Sequence, residues 1–220
     1  MNIEHILPEN IEKRSFEIIE QELNGRYIPP MEKPIVKRVI HTTADFDYLD
    51  NLCFSENAVE KAIEILKKGA VIVTDTNMAK SGINKNALKK LQCRVECFMA
   101  DADVAEAAKA KGITRASASV DKAALIQEPI IYAVGNAPTA LIRLEELIKQ
   151  NLIQPELIIG VPVGFVNVVQ SKEVIMNGSI PYIVAKGRKG GSNVAAAICN
   201  ALLYICLLYT SPSPRDLSTS

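Results

Sequence analysis

The chain has 220 residues, 48% of them hydrophobic, which is enough apolar material for one domain with a sizeable core. Its 25 basic and 25 acidic residues cancel, and that balance argues against a nucleic-acid surface driven by overall charge. No apolar run is expected to approach the ~20 residues of a membrane span. Met1–Asn10 is mixed and polar, without the apolar core of a leader peptide, so the expected compartment is the cytosol.

Taken in order, Asn10–Asn24 reads as an amphipathic helix, with Ile11, Phe16, Ile19 and Leu23 near helical spacing and Asn24-Gly25 as the stop. Arg14 and Ser15 lie on it, either solvated or reaching into a cleft beside Phe16. A proline-rich turn, Tyr27–Pro34, leads into a second helix whose apolar face is Ile35, Val36, Val39 and Ile40. That helix carries His41, with Arg38 three residues before it on the same expected face and Asp45 four residues after it. An imidazole there can give or take a proton near neutral pH, and it can equally cap backbone carbonyls. Asp47–Phe54 suits a small edge strand, and Ser55 then caps a helix that ends at Gly69.

From there a rhythm sets in. Ala70–Thr74, Val95–Phe98, Ile130–Val134, Leu157–Val161 and Pro181–Ala185 are short β-rich runs, most of them followed by a glycine-containing turn and a helix. The pattern predicts an α/β fold: a mostly parallel five-stranded sheet with helices on both faces, a Rossmann-like three-layer sandwich preceded by a helical N-terminal segment. Ligands in such folds bind beyond the carboxyl ends of the strands. The informative loops are therefore Thr74–Asn77, Gly135–Thr139, Pro162–Asn167 and Lys186–Asn193.

Lys186–Ser192 is the most charged of these loops. Gly190 and Gly191 allow backbone amides to approach an anion, Arg188 and Lys189 add charge, and a helix starts near Ser192. It matches neither GxxxxGK[ST] nor GxGxxG, which disfavours a nucleotide or sugar-phosphate enzyme, and a solvated turn with a capped helix is the plain alternative. Arg115 could clamp an acidic group or stand free on the surface. Asn136 and Thr139, flanking Pro138 at a helix start, and Asp75 are either ligand contacts or caps of their own turns. The five cysteines are scattered without a zinc-site pattern and read as reduced, buried thiols, so no metal centre is expected. Residues 207–220 are rich in Ser, Thr and Pro, and two Ser-Pro steps oppose a continuing helix. They read as a disordered tail foreign to the domain at 1–206.

Five segments together resemble one family: Lys13-Arg14-Ser15-Phe16, Val36–His41, Ala133–Leu141, Gly160–Val166 and Lys186–Ser192. They are similar to precorrin-8X methylmutase and its anaerobic counterpart, cobalt-precorrin-8 methylmutase, and the likeness runs from Arg14 to Leu203. The resemblance implies an isomerase of cobalamin biosynthesis that moves a methyl group from C-11 to C-12 in ring C of a corrin precursor. It implies a cytoplasmic homodimer without a separate organic cofactor, with cobalt present, if at all, only inside the substrate. It also implies that His41 is the proton-handling catalytic residue, and that Ser15, Arg38 and Arg115 contact a macrocycle rich in carboxylates. Arg14, Thr74, Asn136, Arg188, Gly190, Gly191 and Ser192 complete the expected binding set. A non-catalytic tetrapyrrole carrier on the same fold is the alternative.

Overall fold

The computed structural model describes residues 4–210. After a single 3-10 turn at Pro8–Asn10, the elements are α1 (Ile11–Glu22), α2 (Lys33–Thr43), α3 (Tyr48–Asn51), β1 (Leu52–Phe54), α4 (Ala58–Lys67) and β2 (Val71–Thr74). Next come α5 (Asn77–Gly82), α6 (Lys85–Lys90), β3 (Arg94–Glu96), α7 (Ala102–Lys111), α8 (Arg115–Ala123) and β4 (Ile130–Val134). The chain continues through α9 (Pro138–Lys149), β5 (Leu157–Gly160), α10 (Val168–Met176), β6 (Tyr182–Ala185) and α11 (Ser192–Thr210).

The sheet has six strands in the order β1-β6-β5-β4-β2-β3. The five strands read as the sheet rhythm are all parallel to one another, and the sixth, β1, pairs antiparallel with β6 at the edge. The sixth strand is the edge segment Asp47–Phe54, shortened to three residues because its first half coils into the one-turn α3. Strand β4 shows why both faces are covered. Ile131 and Ala133 point into a core shared with α2, α4, α5, α6 and α11, while Ile130, Tyr132 and Val134 point into a second core under α8, α9 and α10.

Helix α11 corrects two sequence expectations. It is apolar along its length, and the 18 residues Ser192–Tyr209 average a hydropathy of 1.7, long and apolar enough to cross a membrane by composition. Here 61% of that window is buried, because α2, α4, α5 and α6 all pack against it as the central helix of one layer. The helix also runs through Leu207 to Thr210, since Leu207 still packs on the core, so the domain extends past the boundary expected at 206. The rest of the expected tail, 211–220, lies outside the described residues.

The chain runs from β2 outward to β3, then returns to the other side of β2 as β4. The direction of winding therefore reverses between β2 and β4, and the crevice at such a reversal is where open α/β sheets place their ligands.

Candidate active site

Helix α2 is held by its apolar face. Ile35, Val36, Val39 and Ile40 are all buried, each worth roughly 1.5–3 kcal/mol of gross burial. Ala44 adopts a left-handed conformation (φ 52°), and its N–H donates to the Ile40 carbonyl at 2.7 Å, ending the helix just after His41. His41 is thus fixed at the backbone but exposed at the imidazole. Its ring lies against Phe16 of α1, with centroids 5.1 Å apart and planes inclined by 25°. Two cations share the same phenyl ring: the Arg38 guanidinium carbon lies 4.8 Å and the Lys37 ammonium 5.5 Å from its centroid. Arg38 also stacks 5.3 Å from the Tyr204 ring of α11 and pairs with Glu12.

Ser15 precedes Phe16 and donates its hydroxyl to the Ile11 carbonyl at 2.9 Å. Ser15 and His41 line one cavity of about 460 Å³, together with Glu22 and Phe46. Arg38 lines a different cavity of about 400 Å³, between α2 and α11. Arg38 and His41, expected to face one cleft, line neighbouring cavities, and both lie against the Phe16 ring. Arg14 turns to Glu4 at 2.8 Å and Glu17 at 3.6 Å.

At the carboxyl rim of the sheet, Asp75 follows β2 and is 1% exposed. Its carboxylate accepts the N–H groups of Gly135 (2.8 Å), Asn136 (2.8 Å) and Ala137 (2.7 Å). Burial pushes its pKa up, and the three N–H donors pull it back. Of the two roles open to Asp75, the geometry realises the structural one: it holds the β4–α9 turn across the winding reversal. Thr74 does not open onto the rim. It is buried, and its hydroxyl reaches the carbonyls of Thr76 (3.1 Å) and Glu96 (3.2 Å). The side chain of Asn136 is exposed beside the turn. The Ser192 hydroxyl meets that of Thr76 at 2.8 Å.

Lys186–Gly191 lies directly beside these turns. A Cβ at Gly190 would stand 2.1 Å from the Val161 carbonyl oxygen, so only glycine fits there. Arg188 lies over the exposed Phe165 ring at 5.4 Å. Arg115 is exposed in the first turn of α8, whose Thr114 hydroxyl meets that of Thr139 at 3.0 Å. Lys189 pairs with Asp45 and Asp47 at 2.6 Å each, which ties the rim loop to the segment leaving α2. Asp45 is therefore the partner of Lys189, and its pKa is held down by that ammonium.

The structure brings His41 and Ser15 together, and links them through Asp45 and Lys189 to Arg188, Gly190, Gly191 and Ser192. Arg38 is adjacent across Phe16. Arg115 and Asn136 belong to the neighbouring turns at the starts of α8 and α9. Sequence reasoning did not find the stacking role of Phe16, although its place next to Ser15 was a signal. It also missed Lys172, a lysine in α10 that nothing in the sequence separates from a solvated one.

A family model described as precorrin-8X methylmutase matches residues 10–205. A cobalt-precorrin-8 methylmutase of Leptospira interrogans is 47% identical, with 90% of this chain and 94% of that protein covered. A cobalt-precorrin-8 methylmutase of Salmonella typhimurium is also 47% identical, covering 90% of this chain and 95% of the relative. The crystal structure of precorrin-8X methylmutase from Thermus thermophilus superposes with a TM-score of 0.83 at 38% identity, over 91% of this chain and 98% of that one.

Proposed function

Because the chain belongs to the precorrin-8X methylmutase family and is an isomerase of cobalamin biosynthesis, we propose that it converts cobalt-precorrin-8 by moving the C-11 methyl group to C-12 of ring C. The cobalt form is favoured because the two relatives at 47% identity carry cobalt in their names, whereas the Thermus thermophilus protein at 38% does not. In the reaction one carbon–methyl bond breaks and its neighbour forms within the same macrocycle, so no group leaves and no net oxidation occurs. The task left to the protein is to hold the ring and to handle a proton.

The observation that carries this reading is the exposed His41 imidazole, stacked on Phe16 and lining a cavity together with Ser15. His41 gives a proton to, or hydrogen-bonds, the ring nitrogen beside the migrating methyl, which favours the electron shift, and recovers the proton as product forms. Ser15 orients the ring edge. Arg38, Arg14, Arg115, Arg188 and the amides at Gly190–Ser192 take the peripheral carboxylates. Asn136, in the β4–α9 turn, adds a neutral contact. Thr74 keeps only an indirect part, by shaping the turn beneath. The enzyme works as a cytosolic homodimer without a separate organic cofactor.

The test is an incubation of the purified protein with cobalt-containing and metal-free precursor, followed by absorbance. Faster conversion of the cobalt form is expected. His41→Ala should retain the fold and bind the corrin while losing turnover by about a hundredfold or more. Near-normal turnover in that variant rejects the proton role. Binding by the wild type without any spectral change would indicate a carrier instead.

A further inference from the structure

Lys172 of α10 is 1% exposed, yet among the described residues it has no carboxylate partner: its ammonium donates to the carbonyls of Gly187 at 2.8 Å and Lys189 at 2.9 Å. The carbonyl between them, that of Arg188, accepts the Gly164 N–H at 3.2 Å. Three successive carbonyls of the β6–α11 loop are thus turned inward, toward α10 and the loop before it. In a planar trans peptide the following N–H points the opposite way. The amides of Arg188, Lys189 and Gly190 therefore face outward, and among the described residues none of the three donates to a protein acceptor. Gly187, just before the run, is left-handed (φ 75°), and successive amides beside a left-handed residue are the arrangement that can cradle an anion.

We infer that Lys172 is a positioning residue for substrate binding: by gathering the carbonyls of Gly187 and Lys189 it presents the amides of residues 188–190, beside the Arg188 guanidinium, to one carboxylate of the macrocycle. This rests on the reading that the loop meets substrate carboxylates. A buried ammonium is costly unless it does such work, and burial alone lowers its pKa to about 8. A neutral residue of equal length would fill the space and release the carbonyls, allowing the peptide planes to turn over.

The test compares wild type, Lys172→Met, Arg188→Ala and the double variant for KM and kcat with cobalt-precorrin-8, after thermal unfolding has shown each to be folded. Lys172→Met is expected to raise KM about tenfold or more while kcat changes less than about threefold. In the double variant the two effects should fall short of adding, because both act at one carboxylate. Unchanged KM, or a loss confined to kcat, overturns the role of Lys172. If Arg188→Ala leaves KM unchanged while Lys172→Met raises it, the carboxylate reading of the loop fails instead, and with it the proposal. Amide exchange in the unaltered enzyme gives a second route that needs no variant to fold. Bound product should slow exchange at Arg188, Lys189 and Gly190, and no slowing rejects the outward-facing site.

Discussion

At the scale of single residues, two side chains govern how the site behaves. Phe16 touches His41 and the Arg38 cation at once, so it fixes the imidazole plane without a hydrogen bond. Replacing it by leucine keeps apolar bulk but removes the flat face. An aromatic stack of this kind is worth about 0.5–1.5 kcal/mol, so Phe16→Leu is expected to lower kcat up to about tenfold, read by single-turnover absorbance. Unaltered kcat would show that the imidazole is oriented by something else. Lys172 carries a pH signature. Its pKa is lowered to about 8 from the ordinary lysine value of 10.5, so the unfolded chain binds more protons between those values. The cost of burying the charge is complete below about pH 8 and is relieved as the pH rises toward 10.5, by at most about 3 kcal/mol. Urea unfolding at pH 7.5 and 9.5 should therefore show a gain for wild type that Lys172→Met lacks.

Between elements, the β2–β4 crevice depends on one carboxylate. Asp75→Ala leaves the amides of Gly135, Asn136 and Ala137 without their acceptor, and each lost partner in a buried site costs about 1–3 kcal/mol. Because the three share one site, the expected loss is about 3–5 kcal/mol in urea unfolding rather than their sum. A loss under 1 kcal/mol would mean that water replaces the carboxylate freely. The elements also show what could be read from the chain. The runs at Ala70–Thr74, Ile130–Val134, Leu157–Val161 and Pro181–Ala185 are β2, β4, β5 and β6 to within a residue, because buried parallel strands are continuous apolar runs. The helices α5 and α6 went unread: each has six residues, too few to display a period. Within single segments the chain could be read, since Ser15 and Phe16 fall on the expected first helix and His41 on the second, but the stack of Phe16 on the imidazole joins two segments and could not. The site was not legible where distant segments meet. Nothing near Asp45 announces Lys189, and nothing near Lys172 announces the carbonyls it gathers.

For the molecule as a whole, the sheet makes the two cores inseparable. Every second residue of β4 serves one core and the alternate residues serve the other, so neither can come apart while the strand remains in place. The chain is expected to unfold in a single transition, with far-ultraviolet circular dichroism and tyrosine emission coinciding. Tyrosine is the natural reporter because the chain has six tyrosines and no tryptophan. Two separated transitions would indicate that the helical layer around α11 melts independently. The packing of α2 against α11 has another consequence, which concerns the ribosome. The apolar face that fixes His41 is complete at Thr43, but the helix that covers it begins only at Ser192. At ordinary rates of elongation roughly ten to thirty seconds pass between the two. Throughout that interval the nascent chain holds Ile35, Val36, Val39 and Ile40 without the helix that will bury them, so this short stretch is where chaperones have both the time and the surface to bind.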